Sequence, residues 1–96
     1  MLDNLSCKDY LSEVNTKFYL VEEDFEIELI EAFERNISPK QEVFTLVFFG
    51  AKDRFLEQKI YQLRHEKLGE GNLFLVPVAE EANGFKYEAG FNRLID

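Results

Sequence analysis

The stretch LFLVPVAEEANGFKYEAGFN, residues 73–92, most limits what this chain can fold into. Apolar residues recur at every second position on both sides of an Asn-Gly pair, a period that suits strands and not helices. Phe85, Tyr87, Ala89 and Phe91 alternate with Lys86, Glu88, Gly90 and Asn92, the pattern of a strand with one buried and one wet face. Phe74, Val76 and Val78 alternate with Leu73, Leu75 and Pro77, so the first arm is apolar on both faces, with Pro77 placing its end at an edge or bulge. Asn83-Gly84 accepts the positive φ of a tight turn and is expected to join the two arms.

The same period runs upstream. Phe18 and Leu20 share one face of a first strand, Glu23-Asp24 supply a turn, and Phe25, Ile27, Leu29 and Phe33 share one face of a second. Ile30, Glu31 and Ala32 break that alternation, which points to a bulge or twist near the middle. NISPK, with Pro39, is expected to close this hairpin, and Glu42–Gly50 forms a central strand that is apolar on both faces. AKDRFLEQ reads as a polar connection with one helical turn, and in KIYQLRHE Tyr61 and Leu63 face in while Gln62 and Arg64 face out. Gly69 and Gly71 in LGEGN read as hairpin-turn residues, and the chain is expected to fray from Asn92.

The start is helical. Ser6 and Asp9 form a capping-box pattern, and Tyr10, Leu11 and Val14 then share a helical face over about two turns. So short a helix is unstable alone and is expected to plug one end of a sheet. The fold class is mainly β: a small antiparallel meander of about six strands, closed as a barrel or left as a curved sheet, in one domain over residues 1–96. With 46% hydrophobic residues, ten Phe and no Trp, the core is built from Phe, Leu, Ile and Val.

Charge and the scarcity of reactive side chains narrow the function. A net charge of −8 opposes binding to nucleic acid or an anionic membrane. The acidic run Glu22, Glu23, Asp24, Glu26 and Glu28 lacks EF-hand spacing, and Glu26 and Glu28 share a solvent face. Cys7 is alone, so no internal disulfide forms, and no thiolate-stabilising partner adjoins it. The start MLDNLSCKDY has no signal-peptide pattern, and a cytoplasmic location is expected. His65, beside Arg64 and Glu66, is either a strand-end ring tied to a carboxylate or a proton carrier. Zinc would need two ligands beyond Cys7 and His65, and no serine lies in a nucleophile-elbow context. No catalytic residue, metal or cofactor is assigned.

The runs YQLRHEKLGEGNLFLVPVAEEANGFKYEAGFN and FTLVFFG, with the opening DYLSEVNTKFYL, resemble a family of small bacterial domains of unknown function. Its pattern is Tyr-x-Leu-x-His then Leu-Gly, Leu-Phe-Leu-Val-Pro-Val, and Tyr-Glu-Ala-x-Phe-Asn. The match falls on Tyr61, Leu63, His65, Leu68, Gly69, Pro77, Tyr87, Glu88, Phe91 and Asn92. Of these, His65, Glu88 and Asn92 lack an easy packing or turn explanation. The resemblance implies no reaction or cofactor, and some members accompany phage-tail-collar-like proteins, which implies an accessory role in assembly.

The functional expectation is a non-enzymatic interaction module that docks on a protein partner or on itself. It would use an apolar strand face or a sheet edge, through Phe44, Val47, Phe49, Phe74 and Val76, with Glu26 and Glu28 as a charged face. The alternatives are an apolar-ligand carrier with a Phe-lined pocket, an acidic mimic of nucleic acid, and a hydrolase-type enzyme using His65.

Overall fold

The computed structural model describes residues 1–35 and 38–94. A 3-10 turn at Leu2–Asn4 and a short helix, α1 (Cys7–Leu11), precede six strands: β1 (Lys17–Leu20), β2 (Phe25–Glu34), β3 (Gln41–Ala51), β4 (Lys59–His65), β5 (Gly69–Glu81) and β6 (Gly84–Leu94). The strands pair antiparallel throughout and close into a barrel in the order β1-β2-β3-β6-β5-β4. Of the two expected forms, barrel or curved sheet, the barrel is present, but its order is not that of a simple meander. Two three-stranded meanders, β1–β3 and β4–β6, seal against each other along β3–β6 and β1–β4.

The connection from β3 to β4 therefore crosses one end of the barrel. It holds no helical turn: after Lys52-Asp53 the chain is irregular, Leu56 is buried, and its N–H donates to the Tyr87 hydroxyl at 2.9 Å. A single inward apolar residue, with Phe55 left outside, suits an irregular strap better than a helix.

The other end is closed by the amino-terminal segment. Ser6 caps α1 through the expected capping box with Asp9, and those bonds hold the Asp9 carboxyl below its ordinary range. The helix spans five residues and not two turns. Tyr10 is fully buried, with its ring about Phe18, Phe44 and Phe91 and its hydroxyl donating to the Leu2 carbonyl at 2.5 Å. Leu11, expected on the same face, is exposed, because one short helix cannot turn both Tyr10 and Leu11 onto the barrel.

Cys7 is buried beside Tyr10 in the core cluster, and burial, then Glu34 and Glu42, push its thiol up. The native protein is therefore expected to react with dithionitrobenzoate only as fast as it opens, and the urea-unfolded chain at once. A fast stoichiometric reaction of the native protein would show that the plug is not seated.

Along the strands the period-two reading holds where pairing is regular. Phe18, Leu20, Ile27, Leu29, Leu46, Phe48, Leu63, Leu75 and Tyr87 face in. The register of β2 on β3 shifts between Leu29 and Glu31 at the expected bulge, so Ala32 takes the inward position and Phe33 does not. A second shift, between Pro77 and Ala79, sets Val78 in the bulge where β5 passes from β4 to β6. That arm is not buried on both faces: Phe74 and Val78 are exposed.

Two turn readings and the reading of the chain end change. Asn83 and Gly84 do not take positive φ; Glu81 pairs directly with Gly84, and the loop is Ala82-Asn83. Gly69 does take positive φ (90°) as β4 turns into β5, but Gly71 lies within β5, packed on Leu2. β6 remains paired to β3 as far as Leu94↔Gln41, so the chain does not fray at Asn92. The expected NISPK closure falls partly on residues 36 and 37, outside the described residues, as do residues 95 and 96.

Candidate interaction face and the His65 groove

On β4, Ile60 shares the outer face with Gln62 and Arg64, and its direct partner across the ladder is Phe74 of β5. The two side chains are 63% and 49% exposed, an apolar cross-strand pair open to water. Val76, half-buried, extends the apolar surface along β5, while Gln62↔Asn72 and Arg64↔Glu70 give it a polar rim. Beside Phe74 lies a shallow groove of about 280 Å³ that includes Asn72, Gly90 and Asn92. A Cβ on Gly90 would meet nothing within 4 Å, so neither crowding nor a positive φ requires glycine there. Its missing side chain leaves the groove open.

The other apolar candidates are elsewhere. Phe44 is 1% exposed and stacks on Phe91 at 4.4 Å, so it is a core residue and not a docking residue. Val47 faces out but is 7% exposed between its paired neighbours Glu31 and Glu88, and Phe49 is half-buried with its ring against Gly84. The apolar double face of β3 is thus absorbed by the barrel itself. Ile60 was not singled out in the sequence, although an apolar residue among Gln62 and Arg64 on a wet face was the signal that could have found it.

Among the polar candidates, Glu26 is exposed and Glu28 pairs with Lys17 at 3.4 Å. Glu88 is half-buried between Val47 and Val76 on neighbouring strands. Asn92 accepts a hydrogen bond from Gln41 Nε2 at 2.6 Å. The structure does not bring His65, Glu88 and Asn92 together on one face: His65 is an inward residue at the end of β4, whereas Glu88 and Asn92 lie on the outer side of β6.

His65 lines a groove of about 730 Å³ that opens beside the β1–β4 seam. That seam pairs Tyr19↔Arg64 and Leu20↔Leu63, with the Val21 N–H donating to the Gln62 carbonyl at 3.0 Å on the Leu20 side. Past its end, His65 continues the closure with its side chain: Nε2 lies 2.8 Å from Thr16 Oγ1, and Nδ1 accepts the backbone N–H groups of Lys67 (3.0 Å) and Leu68 (3.1 Å). The ring is 5% exposed and packs on Phe18 at 4.4 Å, with Glu13 Oε1 3.7 Å from Nε2. Burial lowers its pKa, against the pull of Glu13 and Glu66. Both ring nitrogens are therefore engaged in holding the fold, and the groove wall is charged, not Phe-lined. Among the described residues no group of three or more metal-ligating side chains comes together.

No helix among the described residues is long and apolar enough to cross a membrane. Neither the comparison with curated proteins nor that with solved structures gave a match. A family model described as a domain of unknown function, DUF6916, matches residues 5–91, and the chain belongs to that family.

Proposed function

We propose that the domain is a non-enzymatic protein-interaction module that docks through the outer face of the β4–β5 pair. The observation that carries this reading is the water-exposed Ile60–Phe74 pair, flanked by the open groove at Gly90. Large apolar side chains at the centre of a polar rim are the usual anchors of protein interfaces. A face suits this barrel better than an edge. Beyond Leu75, where β5 leaves β4, the free side of β5 carries Pro77, a bulge, Glu80 and Glu81, which oppose strand addition. The sequence resemblance to domains that accompany phage-tail-collar-like proteins favours a bacterial accessory role in assembling such structures.

The test is capture of the partner from the source cells by the wild-type domain and by an Ile60→Ser/Phe74→Ser variant, at about 0.15 M and about 1 M salt. The wild type is expected to hold the partner at both. The variant should bind about 30-fold more weakly or worse, which corresponds to losing one hot-spot anchor. Thermal unfolding should be unchanged, because both side chains are surface residues. A variant that binds as tightly as the wild type would overturn the reading.

A further inference from the structure

The hydrogen bonds around His65 fix its tautomer. The Thr16 hydroxyl donates to the Glu13 carbonyl at 2.7 Å, so towards His65 it can only accept, and Nε2 must carry the proton. Nδ1 is then the bare nitrogen, and two backbone N–H groups, those of Lys67 and Leu68, converge on it. A second proton has one place to go, Nδ1, where it would point into two existing donors. The ring cannot become imidazolium while the loop between β4 and β5 stays seated.

We infer that His65 is a proton-controlled latch: neutral, it clamps the β4–β5 loop and the β1–β4 seam; protonated, it releases the loop and widens the groove. The released state has a partner waiting. Glu13, in the turn after α1, lies 3.7 Å from Nε2 and can pair with the imidazolium once Nδ1–H faces water. Of the other charges near the ring, Glu66 favours protonation and Lys67 opposes it, both on the loop itself. On the groove wall Lys17 of β1 and Arg64 of β4 face Glu26 of β2 and Glu70 of β5. Leu68, half-buried against the core, is the side chain the loop would carry out.

The sign follows from linkage. A base whose closed-state pKa lies below its open-state value stabilises the closed form above the open-state pKa, about 6.5 for a free imidazole. As pH falls from there towards the closed-state value, the open population rises about tenfold per pH unit, one proton being taken up on opening. Ordinary carboxylates stay ionised down to about pH 5, so a change above that pH is not theirs.

The test is an NMR titration of the intact chain between about pH 7.5 and 5, reading the ring nitrogens and the amide protection of the loop, corrected for intrinsic exchange. At the upper end Nε2 should carry the proton. From about pH 7.5 to 6.5 the protection of Lys67 and Leu68 should hold, and below about 6.5 it should fall with a slope of up to about tenfold per pH unit, while Leu46 and Phe48 in β3 keep theirs. His65→Gln, which can still accept and donate but does not titrate, should flatten the profile. A proton on Nδ1 at neutral pH, protection that does not change, a parallel loss at Leu46 and Phe48, or the same slope in His65→Gln would each overturn the latch. If that variant does not fold, the wild-type tautomer and amide profile decide alone.

Discussion

Tyr10→Ala is expected to destabilise the domain by about 4 kcal/mol, the range for deleting a fully buried aromatic ring. Tyr10 sits where the plug, β1, β3 and β6 meet, and no neighbouring group can collapse into the space without unseating Phe18, Phe44 or Phe91. Its hydroxyl also satisfies the Leu2 carbonyl, which holds the 3-10 turn in place. Tyr10→Phe keeps the ring and leaves that carbonyl only the long bond from the Leu5 N–H at 3.4 Å, a loss of about 1 kcal/mol. Equilibrium urea unfolding measures both. A cost below about 2 kcal/mol for the alanine variant would mean that the amino-terminal plug is not part of the cooperative core. Burial also raises the Tyr10 phenol above its ordinary range. The unfolded chain ionises first, so the tyrosine contribution to stability is present below about pH 10 and lost as pH rises beyond it.

The second large effect separates three glycines that look alike in the sequence. A Cβ on Gly84 would collide with the Gly50 carbonyl and the Phe49 ring, at the point where β6 begins against β3. On Gly71 it would meet Leu2 N at 2.7 Å and Leu2 Cβ at 2.8 Å. On Gly90 it would meet nothing within 4 Å. Gly84→Ala is therefore expected to cost about 3 kcal/mol, since backbone and a packed ring must both move, and Gly71→Ala about 2 kcal/mol, by lifting the 3-10 turn. Gly90→Ala should be neutral or stabilise by up to about 1 kcal/mol, through a less flexible unfolded chain. Thermal or urea unfolding of the three variants checks the order. Equal effects would show that the strand approach at Gly84 and the plug at Gly71 are not as close as described.

Alternation made the strands legible, because a half-buried strand writes its burial directly into every second residue. Phe25, Ile27 and Leu29 are examples, and the break at Ile30 and Glu31 correctly marked a bulge. The order of strands was not legible. Nothing local in residues 52–58 says that they cross the barrel end and not the neighbouring strand, since that choice is made by contacts such as Leu56 with Tyr87. Gly84 shows the same limit: Asn-Gly is a turn signal by its φ preference, yet this glycine is needed for close approach and takes no positive φ.

The candidate face was half legible. Doubly apolar strands suggested surplus apolar surface, and on β5 Phe74 is indeed exposed, whereas on β3 the second face is covered by paired neighbours whose identity depends on topology. His65 was visible as a strand-end histidine, but the carboxylate nearest its Nε2, Glu13 at 3.7 Å, lies far from it in the chain. Its role in closing the seam depends on Thr16 lying across from it, which follows only from the β1–β4 pairing.

The most direct test of docking through the β4–β5 face is site-specific photo-crosslinking in the source cells, with a photoreactive phenylalanine analogue placed at position 74 or at position 26. Docking through Ile60 and Phe74 predicts one defined cross-linked protein from position 74 that persists at high salt, and none from position 26. Cross-linking from position 26 alone, lost as salt is raised, would contradict it and assign recognition to the acidic outer face of β2 instead.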